Sequence, residues 1–158
     1  GYSSTPRYDE SGNLISPLYS NTGGFAHYDD YLYSDTLNWI NHEWIDYIMP
    51  QCYHSLENKY APYADCIRWW SWAVRYKKVN LYAGLGIYKA LEDDATWKAH
   101  TDEIKLQLLF SAQYEEFKGA SFYKYASLLK SSKSAILSLT SSKASKEFSG
   151  FVFIFLCV

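Results

Sequence analysis

Apolar and polar positions change their spacing several times along this chain, and the changes divide it into alternating helical and extended segments. Residues 1–30 are rich in Ser, Gly, Asn, Asp, Pro and Tyr and carry no hydrophobic period, so they predict one long loop. Over 31–44, Leu32, Asp35, Thr36, Trp39 and Ile40 fall at helical spacing, with Asp29 or Asp30 available to cap the start. Residues 45–53 then read as a short buried strand, with Pro50 marking its C-terminal part. Pro62 suits the opening of a second helix over 63–76, whose Ile67, Trp70 and Val74 share a face.

Residues 79–88 predict a second strand in which Gly84 and Gly86 imply close packing or a bend. A third helix over 100–114 groups Ile104, Leu108 and Ser111, with Leu109 and Ala112 beside them, and residues 119–125 predict a third strand. The Ser- and Lys-rich stretch 128–146 suits a last helix running into a loose tail. Residues 151–158 are uniformly apolar but far short of the ~20 residues of a membrane helix. That run is compatible with a strand, a truncated anchor or a wrongly translated end.

Helices alternating with strands predict an α/β fold with parallel pairing and right-handed crossovers. A closed (β/α)8 barrel takes about 250 residues, so 158 residues hold only part of one. Such a part leaves strand edges open, and open edges can pair with another copy of the chain.

Composition narrows the partners. The formal charge is −2 with Lys and Arg scattered, which lacks the basic stripe of a nucleic-acid binder. Aromatic residues make up 19%, including sixteen Tyr and six Trp, more than a core of this size needs. Rings with a polar tip left near the surface suit partly apolar, hydroxylated ligands such as sugars, while core and rim packing is the alternative for any one ring.

Cys52, Cys66 and Cys157 follow no metal spacing and are read as free and mostly buried, with a Cys52–Cys66 disulfide left open. His27, His42, His54 and His100 show no metal-ligand spacing, and Gly84-Leu85-Gly86 is too short for a dinucleotide fingerprint, so no metal or other cofactor is expected. The start, Gly1-Tyr2-Ser3-Ser4, has neither Met nor a signal peptide, and the true start is expected elsewhere.

A family resemblance selects among α/β folds. Tyr33-Ser34-Asp35-Thr36-Leu37-Asn38-Trp39, followed by Trp44-Ile45-Asp46-Tyr47-Ile48-Met49-Pro50-Gln51-Cys52-Tyr53, resembles the helix and sixth-strand signature of the glycosyl hydrolase-like 10 family, bacterial (β/α)8 barrels regarded as glycoside hydrolases. The similarity continues through Tyr63-Ala64-Asp65 with Trp69-Trp70, Leu81-Tyr82-Ala83-Gly84 with Tyr88-Lys89, and Gly119-Ala120-Ser121-Phe122-Tyr123. It implies a partial (β/α)8 TIM barrel: 1–30 a long βα loop, 31–130 strands 6–8 with their helices, and 131–158 a helix or tail. Strands 1–5 would precede residue 1. After the Pro-Gln-x-Tyr run the family typically has Trp, whereas this chain has His54, a departure that puts sugar stacking at this position in question and leaves a ring able to hydrogen-bond a hydroxyl instead.

Barrel active sites lie at the C-terminal strand ends, which places Gln51, Tyr53, His54, Tyr88, Lys89 and Tyr125 as candidate substrate contacts, with Lys124 beside the last. Glycoside hydrolysis needs two carboxyl groups facing one bond. Asp46, Glu57 and the run Glu92-Asp93-Asp94 form no convincing pair, so the pair is expected on the missing strands, the fourth and fifth. The resemblance implies a hydrolase of bacterial polysaccharide, cell-wall glycan strands included, working outside the cell or in its envelope. A non-catalytic carbohydrate-binding module is the competing reading.

Overall fold

The computed structural model describes residues 7–8, 11, 14–16, 32–91, 97, 102–130 and 152–155. Within the stretch expected to be loop, β1 (Arg7–Tyr8) and β2 (Leu14–Ser16) pair antiparallel. The intervening Gly12 and Asn13 are turn formers, and two such short strands carry no periodic signal.

The first helix, α1 (Thr36–Asn41), is shorter than the 31–44 expected. Its cap is Asp35, whose carboxylate accepts the Asn38 N–H at 3.2 Å; the proposed caps Asp29 and Asp30 lie outside the described residues. The helix stops where Glu43 turns to a φ of 54°, in the left-handed region that ends helices.

Next, β3 comprises only Tyr47–Ile48, because Pro50 has no N–H to continue a ladder. The parallel alignment resumes beyond it. Gly84 donates to the Pro50 carbonyl at 2.9 Å, Gln51 bridges Gly84, and Cys52 donates to the Gly84 carbonyl at 2.9 Å. This close approach requires glycine, since a Cβ on Gly84 would stand 2.9 Å from the Pro50 oxygen.

After Pro62 comes α2 (Tyr63–Val74), then β4 (Asn80–Leu85), a 3-10 turn (Ile87–Leu91) and α3 (Glu103–Ser111). The last described elements are β5 (Phe117–Phe122), α4 (Tyr125–Lys130) and β6 (Val152–Phe155). The third strand therefore begins and ends earlier than the 119–125 expected, and Tyr125 opens a helix instead of closing a strand. Phe117 draws the strand start inward, because it is 2% exposed in the core. The helix expected over 128–146 begins at Tyr125, and beyond Lys130 it falls outside the described residues.

One sheet runs β3-β4-β5-β6 with every pairing parallel, an α/β arrangement. The apolar C-terminal run thus enters the sheet as its fourth strand, aligning Gly119 with Val152 and Phe122 with Phe155. In the alternation of β4, Leu81, Ala83 and Leu85 are all fully buried. Leu81 packs with Leu37, Ile40 and Val74, while Ala83 and Leu85 pack with Ile67, Ile104, Leu108 and Phe122. The expected faces of α2 and α3 are there, with Trp69 buried and Trp70 half-buried. Inside, the Tyr63 hydroxyl meets the Ser111 Oγ at 2.7 Å, joining α2 to α3.

Candidate functional site

Parallel pairing brings the C-terminal ends of neighbouring strands to one rim of the sheet. At that rim, Tyr53 follows β3, Tyr88 lies in the 3-10 turn after β4, and Tyr123 directly follows β5. Their three rings form a cluster. Tyr53 stacks on Tyr123 with centroids 5.8 Å apart, and Tyr88 stands edge-on to both, at 6.0 and 5.9 Å. These are the offset and edge-to-face geometries that aromatic quadrupoles favour.

Gly86 makes the space: a Cβ there would lie 3.1 Å from the Tyr53 Cβ and Cγ and from the Tyr88 Cε1. Lys89 Nζ sits 5.5 Å from the Tyr88 ring centroid, within reach of a cation–π attraction.

Two protonation equilibria are shifted at this rim. Burial, and then the neighbouring Tyr88 and Tyr123 hydroxyls, raise the Tyr53 pKa above its usual value of 10.0, which keeps the phenol a neutral donor. Loss of water around the His54 ring, and then the Lys89 ammonium, lower its pKa from 6.5. His54 is exposed at the surface yet neutral at pH 7, able to donate from one nitrogen and accept at the other.

The loop carrying Tyr53 and His54 is tied down from two helices. The Glu103 carboxylate, 3% exposed at the start of α3, accepts the Leu56 N–H at 2.7 Å and the Gln107 amide at 2.8 Å. The Gln107 Nε2 also donates to the His54 carbonyl at 3.1 Å. From α2, the Tyr63 N–H donates to the Ser55 carbonyl at 3.1 Å. Asn58 Oδ1 accepts the Tyr60 and Ala61 N–H groups and tightens the turn before that helix.

Of the residues expected at the rim, Tyr53, His54, Tyr88 and Lys89 come together. Gln51 has an exposed side chain and bridges Gly84 through its backbone. Tyr125, 41% exposed, is the first residue of α4, with Lys124 before it, and Tyr123 occupies the strand-end place in the ring cluster. Tyr123 was legible only through the strand's true end: an apolar Phe117 read as the first strand residue moves that end back to Phe122.

Among the candidate acids, Asp46 is exposed at the opposite end of β3, where its carbonyl accepts the Asn80 N–H at 3.0 Å. Glu57 is exposed in the loop before α2, and Glu92, Asp93 and Asp94 lie outside the described residues. Among the described residues, no group of three or more His, Cys, Asp or Glu is placed to hold a metal ion. No described helix is long and apolar enough to cross a membrane. What the rim offers is ring faces, phenol hydroxyls, a neutral imidazole and one ammonium, a set that fits a polyhydroxylated ligand.

Residues 12–99 match the family described as Glycosyl hydrolase-like 10. The chain is 38% identical over 116 residues to Glycosyl hydrolase YngK of Bacillus subtilis (strain 168), an alignment covering 72% of this chain and 22% of that protein. It is 32% identical over 113 residues to Glycosyl hydrolase DigH of Escherichia coli (strain K12), covering 68% of this chain and 26% of the relative. The chain spans about a quarter of the length of these curated relatives.

Proposed function

Because this chain belongs to the glycosyl hydrolase-like 10 family, we propose that it forms one wall of the polysaccharide cleft of a (β/α)8-barrel glycoside hydrolase, with β3, β4 and β5 as barrel strands 6, 7 and 8. The observation that carries this reading is the Tyr53, Tyr88 and Tyr123 cluster, built from the C-terminal ends of three adjacent parallel strands. In a barrel that is the end where substrate sits.

The roles divide by chemistry. Ring faces cover the apolar face of a sugar, while the Tyr53 hydroxyl and the neutral His54 ring hydrogen-bond its hydroxyl groups. Lys89, held beside Tyr88, supplies a further donor. The acid and the nucleophile or base belong to strands 4 and 5 of the parent protein, facing this wall across the glycosidic bond. The substrate is a bacterial polysaccharide, cell-wall glycan strands foremost, met outside the cell or in its envelope. Among the described residues no strand pairs with the other flank of β3; strand 5 would cover that flank in the parent, and a second copy would take it in the isolated chain.

Retention on insoluble bacterial cell-wall glycan tests the assignment. The purified chain is expected to bind, and Tyr53→Ala or Tyr123→Ala to weaken binding about tenfold, the equivalent of 1.4 kcal/mol, with Tyr53→Phe losing less. Equal retention by the folded Ala variants would remove the cleft reading. Release of soluble sugar by the 158-residue chain alone would show that the acids lie within it. Binding without release, by the chain and by its full-length parent, would favour the carbohydrate-binding module.

A further inference from the structure

Three buried side-chain polar atoms among the described residues meet no hydrogen-bond partner: Ser71 Oγ, Gln107 Oε1 and Ser121 Oγ. Native folds leave few such atoms, because each has given up its hydration for nothing in return. Ser71 is enclosed within α2, and the Gln107 amide is already engaged through its nitrogen, which donates to Glu103 and His54. Ser121 differs in its place. It lies in β5 between Ala120 and Phe122, which pack with Ile67 of α2 and Ile104 and Leu108 of α3, so alternation turns it to the opposite face of the sheet. Tyr123 follows two positions on, about 7 Å along the strand and on that same face, and its ring stacks on Tyr53.

The strand explains why the hydroxyl has no partner. β5 is paired on both flanks, so the backbone groups around Ser121 are engaged in the ladders with β4 and β6. Its register neighbours, Gly84 and Ile154, are residue types without a side-chain donor or acceptor, and Gly119 on its own strand has no side chain. At 1% exposure, solvent does not reach it either. Next along the strand stands the ring cluster, whose Tyr53, Tyr88 and Tyr123 are half-buried and so meet solvent on their outer side.

We propose that Ser121 is the floor of the sugar subsite walled by the Tyr53 and Tyr123 rings, and that its hydroxyl forms one hydrogen bond with a hydroxyl group of the bound polysaccharide. This rests on the cleft reading and adds to it a specificity-determining contact beneath the rings. A sugar hydroxyl entering between the rings brings both a donor and an acceptor to an atom that has neither, so binding removes a cost that the free chain carries. A substituent lacking such a group leaves Ser121 unsatisfied, and the position therefore selects for a hydroxylated one. Folding and binding then respond in opposite senses. Ser121→Ala deletes a buried polar atom that has no partner, so the free chain keeps or gains stability while the contact to the sugar is lost.

Urea unfolding and retention on insoluble bacterial cell-wall glycan are measured side by side for the 158-residue chain and its Ser121→Ala, Ser121→Cys and Tyr53→Ala variants. Ser121→Ala is expected to unfold at the same urea concentration as the unaltered chain or at a higher one, yet to be retained about fivefold more weakly, the worth of one neutral hydrogen bond. Ser121→Cys, similar in shape but a poor hydrogen-bonding group, should lose retention to a like extent. Unchanged retention in both Ser121 variants beside weakened retention of Tyr53→Ala would overturn the floor assignment and leave the cleft reading standing. A lower urea midpoint for Ser121→Ala, in step with lost retention, would make Ser121 a packing residue and overturn the assignment equally. Equal retention by all the folded chains would remove the cleft reading and this contact together.

Discussion

Where the rings of Tyr53 and Tyr88 meet, Gly86 has no side chain to separate them. A Gly86→Ala substitution places a methyl 3.1 Å from both, and the rings must give by a few tenths of an ångström. The substitution is expected to reduce glycan retention more than it reduces stability. Retention measured alongside urea unfolding checks this, and a loss confined to unfolding would make Gly86 a packing residue only.

His54 gives a second test. Its folded pKa lies below the 6.5 of the unfolded chain, because of lost water and then Lys89. Above pH 6.5 the ring is neutral in both states and its contribution to stability is complete. As pH falls through 6.5, the unfolded chain takes up the proton first, and stability declines until the folded pKa is passed. NMR titration of the ring should give a midpoint below 6.5, moving upward in Lys89→Gln; a midpoint at or above 6.5 in the native chain would contradict the arrangement. Strand-end reasoning placed Tyr53, His54, Tyr88 and Lys89 at one rim from sequence, and the structure brings them together there. That reasoning missed Tyr123 because turn chemistry after Phe122 leaves little trace in hydrophobic spacing. It missed Glu103 because a carboxylate at a helix start resembles an ordinary first-turn acid, while its partner Leu56 is 47 positions away.

For the helices and strands, spacing gave the apolar faces more reliably than the ends. Ile104, Leu108 and Ser111 are fully buried, as their period requires, yet the helix holding them runs only over Glu103–Ser111. The ends depend on polar contacts, such as the Asp35 cap of α1, that periodicity does not weigh. The clamp from α3 onto the loop after β3 is of this kind. Glu103→Ala would strand the Leu56 N–H and one Gln107 donor, costing about 1–3 kcal/mol. Glu103→Gln keeps an acceptor and should cost less. Urea denaturation ranks the two variants, and hydrogen exchange at the Leu56 amide should quicken in Glu103→Ala; unchanged protection would show that the clamp does not hold the loop.

The alternation of helices and strands foretold a parallel sheet in which the segments around Tyr47, Leu81 and Ala120 are neighbours, and that is the arrangement found. The fourth strand was one of three readings left open for the apolar run: such a run has no period to separate strand from anchor, and only its pairing with β5 decides. Truncation after Gly150 removes that strand and bares the backbone groups of Gly119, Ala120, Ser121 and Phe122. The truncated chain is expected to aggregate at concentrations where the intact one stays dispersed, as light scattering would report; equal scattering would mean that β6 protects nothing.

β5 has one remaining flank, and β6 lies along it. In the barrel proposed above, that berth would fall to the first strand of the parent protein; one row of hydrogen-bond donors and acceptors serves one neighbour, so within that proposal the docking of β6 and closure of the cylinder exclude each other.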